Sequence, residues 1–145
     1  MANYRMTLQS LRSQAELFTY MATFSNAAMW NPRVESADSD SGDDLKVGSE
    51  FHLAIKIRKK TTPFVYSILE FDPPQRLVVE AVTTTFYIRD TITVRTTEMD
   101  HSEMTYAATL RFRGFASILD GALIIVIRQI GRKAKHSLET ILSTP

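Results

Sequence analysis

The stretch from Ala116 to Leu142 most limits what this chain can fold into, because it is the one long helical pattern in a sequence otherwise written in period-two alternation. Its first half, Ile118-Leu119 and then Ala122-Leu123-Ile124-Ile125-Val126-Ile127, is apolar on nearly every side. Its second half narrows to one stripe: Ile130, Ala134, Leu138 and Ile141. A helix apolar all round has to be covered all round or face an apolar guest. A sheet wrapped around this helix is therefore expected, with room left for an apolar ligand. Gly121 and Gly131 interrupt the pattern, each at ~1 kcal/mol relative to alanine. They point either to close sheet contact or to a movable first part of the helix, and the sequence leaves both open.

The rest of the chain reads mainly as strands. Tyr4, Met6 and Leu8 alternate with Arg5, Thr7 and Gln9, the pattern of a half-buried strand. Ser13-Gln14-Ala15-Glu16 fits a capping box, followed by a short helix with Leu17, Phe18 and Met21 on one side. Ser25 is the expected cap of a second short helix that ends at Trp30, ahead of Pro32. Asp38 to Asp44 reads as a polar loop. Alternation returns with Phe51, Leu53, Ile55 and Ile57 on one face and Glu50, His52, Lys56 and Arg58 on the other. Lys59 to Pro63 reads as a turn. Phe64, Tyr66 and Ile68 open a strand whose phase is ambiguous, since Val65, Leu69 and Phe71 are also apolar; Asp72-Pro73-Pro74 ends it.

Leu77 to Val82 is a further strand, and Thr83-Thr84-Thr85 reads as a bulge or a tight turn. Phe86, Ile88, Asp90, Ile92 and Val94 then share a face opposite Tyr87, Arg89, Thr91, Thr93 and Arg95. Thr97 to Glu103 reads as a hairpin loop. Met104, Tyr106, Ala108, Leu110 and Phe112 form the inward set of the last strand, and Gly114 marks the corner before the long helix. Strands joined by short turns must be antiparallel. The expected class is α+β, with two short helices after the first strand.

Bulk properties narrow the functional classes. At 145 residues the chain is expected to form one domain, 1–145. Cysteine is absent, which removes disulfides and thiolate chemistry. A net charge of +1 supplies no drive toward nucleic acid or an anionic membrane, so neither is an expected partner. No apolar run approaches the ~20 residues of a membrane span. The start of the sequence lacks the apolar core of a signal peptide, and a cytoplasmic location is expected.

Several strings carry a likeness: Leu17-Phe18-Thr19-Tyr20-Met21-Ala22 with Asn26-Ala27-Ala28-Met29-Trp30-Asn31-Pro32; Val47-Gly48-Ser49-Glu50-Phe51; Glu70-Phe71-Asp72-Pro73-Pro74-Gln75-Arg76-Leu77; Asp90-Thr91-Ile92-Thr93-Val94; and Tyr106-Ala107-Ala108-Thr109-Leu110-Arg111-Phe112-Arg113-Gly114. In this order the chain resembles the START-like (SRPBCC) superfamily with its helix-grip fold, and most of all its polyketide cyclase/dehydrase branch of small bacterial proteins. The resemblance spans essentially the whole chain. It implies about seven antiparallel strands curled around the terminal helix, with a cavity between them. Members bind lipids, sterols, polyketides or other apolar molecules, and a minority cyclise or dehydrate polyketides. The resemblance transfers a pocket and not a reaction.

The expected walls of that pocket are Phe51, Leu53, Ile55, Tyr66 and Ile68, together with Asp90, Ile92, Tyr106, Ala108 and Leu110, all from the sheet. The helix adds Leu119, Leu123, Val126 and Ile127, and Trp30 stands at the mouth. Asp90 is the outstanding residue. A carboxyl on an apolar face is costly when ionised, so its pKa is expected to rise. It reads either as a cavity acid or base or as a structural carboxylate bonded to backbone N–H groups or an arginine. Tyr66 and Tyr106 read as hydroxyls that orient a ligand carbonyl, or as core tyrosines.

Other chemistry leaves little trace. His52, His101 and His136 do not cluster, so no metal site or cofactor is expected. Counting Asp38 as the first position, the acidic loop places Asp43 and Ser49 where a calcium loop of the EF-hand type needs glycine and glutamate. Arg128, Arg132 and Lys135 read as the wet face of the long helix, or else as a phosphate or membrane-surface patch. The leading reading is a protein that binds a hydrophobic small molecule. The second is a cofactor-free cyclase or dehydratase using Asp90 with Tyr66 or Tyr106. The third is a homodimer formed through Ile118–Ile127.

Overall fold

The structure, a computed structural model, describes residues 2–40, 44–57, 59–113 and 120–142, excepting the side chains of 2, 57, 120–127, 129 and 130. Arg58, Gly114, Ile118 and Leu119 lie outside this set. So do the surroundings of Gly121 and the side chains of Leu123, Val126 and Ile127, and with them the segment expected to pair two copies of the chain.

Strand β1 (Ala2–Ser10) leads through α1 (Gln14–Ala22), a single 3-10 turn (Phe24–Asn26) and α2 (Ala27–Trp30) to β2 (Val34–Ser39). The chain then runs through β3 (Glu50–Ile57), β4 (Lys60–Asp72), β5 (Arg76–Val82), β6 (Phe86–Thr96) and β7 (Ser102–Phe112) into α3 (Asp120–Leu142). The seven strands form one curled antiparallel sheet in the order β1-β7-β6-β5-β4-β3-β2, and α3 lies against β1 and β7. The α+β class, the curled sheet and the two short helices all follow the sequence pattern.

Five local expectations are corrected. Asp38 and Ser39 are not loop residues: they pair with His52 and Phe51 in β2, a strand without sequence alternation. Lys60 to Pro63 already belong to β4. Pro63 is tolerated because β4 has β3 beside it there, opposite Ala54, while its β5 partners begin only at Tyr66. Ser25 sits inside the 3-10 turn, and α2 starts at Ala27 with no side-chain cap. The β6–β7 loop is shorter than expected, since Ser102 and Glu103 pair with Thr96 and Arg95. The ambiguous phase of β4 is a bulge: register shifts between Ile68 and Glu70, so Phe71 rejoins the core and meets the Phe18 ring at 5.9 Å.

The threonine run resolves as a tight turn. The Thr83 hydroxyl accepts from the Phe86 N–H at 2.8 Å and the Thr85 N–H at 3.2 Å, doing the work a glycine or asparagine does in other hairpins. The Ser13 cap also forms, its hydroxyl accepting from the Glu16 N–H at 3.2 Å. Leu17, Phe18 and Met21 are buried as their spacing requires.

Two contacts seat α3. The Ser10 hydroxyl donates to the Leu142 carbonyl at 3.1 Å, and the Arg12 guanidinium reaches the Ile141 carbonyl at 3.4 Å, so strand-end groups satisfy the helix C-terminus. Higher up, Gly131 is buried directly on the Tyr4 ring, where any Cβ would overlap the ring. The glycine therefore serves close sheet contact. Ala134, Leu138 and Leu142 continue its buried stripe, Ile141 is half-buried, and Arg128 and Arg132 are exposed.

Gly131→Ala is expected to lower stability by about 1–3 kcal/mol through overpacking, despite alanine's better helix propensity. In a Tyr4→Ala background the same substitution is expected to be neutral or stabilising. Urea titration of the four proteins checks this. A stabilised single variant would show that the ring contact does not constrain the helix.

Candidate functional site

Among the described residues the inward face of the sheet carries one buried carboxyl. Asp90 lies in the middle of β6, with Val79 of β5 and Ala108 of β7 as cross-strand partners, and is only 4% exposed. Strand alternation alone places it there, between Ile88 and Ile92. Tyr106 pairs with Ile92, which makes it the diagonal neighbour of Asp90 on the same face. Its hydroxyl donates to Asp90 Oδ2 at 2.7 Å. No arginine or backbone N–H is bonded to this carboxyl among the described residues.

Aromatic rings surround the pair. Trp30 of α2 is buried and meets the Tyr106 ring edge-on at 5.6 Å. Phe24 stands 5.1 Å from the Tyr66 ring, 5.9 Å from Phe51 and 6.4 Å from Trp30. Phe64 continues from Tyr66 at 6.5 Å. Trp30, Phe51, Leu53, Tyr66, Ile68, Asp90, Ile92 and Tyr106 are all buried on one side of the sheet, whereas Ile55, Ala108 and Leu110 are half-buried. Phe24 was missed as a wall residue. Its signal is the continued spacing Leu17, Met21, Phe24, Ala27, which runs past the end of α1.

Electrostatics follow from this shell. Burial pushes the Asp90 pKa from 3.8 up to about 7, and the hydrogen bond from Tyr106 offsets only part of that rise. Tyr66 and Tyr106 are held well above the usual phenol range by burial and by the Asp90 charge. Both remain hydroxyls at any ordinary pH. Tyr106 has one proton and gives it to Asp90, so a ligand carbonyl here would meet Tyr66 or the neutral Asp90 as its donor.

Residues 1–142 match the family model described as polyketide cyclase / dehydrase and lipid transport. The chain belongs to that family. No curated protein matches it in sequence. Its structure is similar to that of a START superfamily protein from Mycobacterium smegmatis, at 10% identity and a TM-score of 0.79, over 98% of this chain and 97% of that one. It is similar to XoxI from Bacillus cereus, at 15% identity and a TM-score of 0.71, over 98% and 96%. The Zhui aromatase/cyclase from Streptomyces sp. R1128 is similar at 8% identity and a TM-score of 0.78, over 97% and 92%. The fold of this cyclase/dehydrase family member is thus the START-like helix-grip fold.

Two further observations concern the same family member. His52 Nε2 lies 2.8 Å from Asp40 Oδ2, and Asp40, Glu50 and His52 bring donor atoms within 4.8 Å of one another. All three are exposed, and the hydrogen bond that His52 donates to the Asp40 carboxylate raises the His52 pKa. The grouping depends on the β2–β3 pairing and was invisible without it. Among the described residues no helix is long and apolar enough to cross a membrane.

The unfolded chain ionises Asp90 near 3.8 and the folded chain near 7, so between these values the unfolded state binds fewer protons. Stability is therefore expected to fall as pH rises across that interval and to level off above it. Denaturant titrations over that range should show a flatter profile for Asp90→Asn, and greater stability than the parent above neutrality. An identical slope in the variant would remove Asp90 as its source.

Proposed function

We propose that this protein holds a hydrophobic small molecule, a lipid, polyketide or similar compound, between the sheet and α3. The observation that carries this reading is the hydrogen-bonded Asp90–Tyr106 pair, a buried polar spot set in a shell of rings and aliphatic side chains. Apolar walls with a few convergent polar groups are the usual make-up of a ligand pocket. Burial of apolar ligand surface at ~25 cal/mol per Å² would drive binding, and the polar spot would set orientation. Tyr66, Asp90 and Tyr106 are the proposed orienting residues. Trp30, Phe51, Leu53, Ile68 and Ile92 are the proposed apolar contacts.

A cyclase- or dehydratase-type activity is the second reading, and the position of Asp90 near 7 favours it. A carboxyl that changes charge near neutrality is suited to moving a proton next to a ketone. The ionised form would take the proton and Tyr66 would polarise the carbonyl. Both the family description and the resemblance in fold to an aromatase/cyclase support considering it.

Native mass spectrometry of the protein purified from its own host is expected to reveal a co-purifying apolar compound. Asp90→Asn is expected to change its affinity more than the melting temperature changes. The compound recovered unchanged supports binding alone. A converted polyketide, with turnover that rises as Asp90 ionises and vanishes in Asp90→Asn, supports the enzyme. Failure of every apolar compound to bind would end both readings.

A further inference from the structure

One end of the sheet is distinct in chemistry. The β3–β4 turn, the β5–β6 turn and the end of β7 all lie there, because each of these strands starts or finishes at that edge of the antiparallel ladder. A cleft of about 690 Å³ opens between them, lined by Lys59, Lys60, Thr62, Pro63, the Thr83–Thr85 loop and Phe86. None of its described lining residues is acidic. A third cation joins the same rim: Arg113 donates its backbone N–H to the Thr85 carbonyl at 2.7 Å and its guanidinium to the Thr83 carbonyl. Three cations, four threonines and no carboxylate among the described residues make a mouth complementary to an anion.

One aromatic residue, Phe86, lines this mouth and stacks onto rings behind it. Phe86 stands 6.0 Å from the Phe64 ring and 4.9 Å from the Phe112 ring, and Phe64 stands 6.5 Å from Tyr66. Ring surface thus runs from the basic cleft toward the tyrosines around Asp90. Phe86 and Asp90 are four residues apart on β6, about 13 Å at ~3.3 Å per residue.

We propose that the ligand is amphipathic and anionic at one end: its carboxylate or phosphate-type head sits in the cleft beside Lys59 and Lys60, and its apolar body runs inward past Phe86 and Phe64 to a polar group at Tyr66 and Asp90. This rests on the pocket reading above and adds the head-group class and the direction of entry.

Two fluorescent probes with the same ring system separate these claims: anilinonaphthalene sulfonate, which is anionic, and phenylnaphthylamine, which is neutral. The double variant Lys59→Gln/Lys60→Gln is expected to weaken sulfonate binding about fivefold, in line with two solvated charge contacts. The difference should shrink in high salt, and phenylnaphthylamine affinity should hold. Lys133→Gln, on α3 away from the cleft, controls for net charge and should change neither. Decanoate or decyl phosphate should displace the probe better than decanol, and the stronger of the two names the head group. Equal sulfonate affinity in the double variant, or decanol matching both anions, would overturn the head-group assignment while leaving the pocket standing. Binding of neither probe to the parent protein would overturn the pocket reading itself.

Discussion

The register of β5, β6 and β7 is the constraint on which the remaining chemistry depends. Asp90 faces inward because Val79 and Ala108 stand opposite it, and Tyr106 reaches it because Ile92 is the residue opposite Tyr106. A slip of one residue in β6 would turn Asp90 to water and bring Arg89 and Thr91 inward. Burying an arginine there would be prohibitive without a partner. The penalty for the wrong register and the identity of the polar spot therefore come from the same alternation. Short turns on either side hold it: the Thr83 hydroxyl closes one, and the β6–β7 loop closes the other with left-handed Met99 and Asp100.

Within that frame, two opposing influences decide what Asp90 is. Loss of water favours the neutral acid, and the Tyr106 hydroxyl favours the carboxylate; burial is the stronger. A neutral carboxyl can donate as well as accept, whereas an ionised one only accepts. The same group thus suits passive orientation of a carbonyl below neutrality and proton removal above it. The two functional readings share one site and differ only in which protonation state the ligand meets.

Most of the strand order and the inward sets were legible because alternation is a local property. The inward placement of Asp90 and Tyr106 follows from spacing alone, whereas that of Tyr66 is decided by the pairing of β4 with β3 and β5. What spacing could not show depends on partners distant in sequence. β2 carries Glu35, Asp38 and other polar residues on a strand made by pairing with β3, so no periodicity betrays it. Leu69 confused the β4 pattern because a bulge changes the phase within one strand. Pro63 looked like a turn residue, since the absence of a β5 neighbour at that level is a three-dimensional fact. Phe24 fell between two short helices and was passed over, although it touches three of the rings around the site. The Tyr106–Asp90 bond itself needed the register, which no single strand contains.

The attachment of α3 to β1 has a consequence for how the molecule is assembled. The Ser10–Leu142 bond joins positions 132 apart, and β1 pairs along its whole length with β7. When β1 leaves the ribosome, neither its lateral neighbour nor its covering helix has been made. The intervening hairpins, built from near neighbours in sequence, can form first, while β1 waits as an unpaired edge with Tyr4, Met6 and Leu8 uncovered. The seam between β1, β7 and α3 is thus closed by segments far apart in the chain, after the hairpins between them have formed.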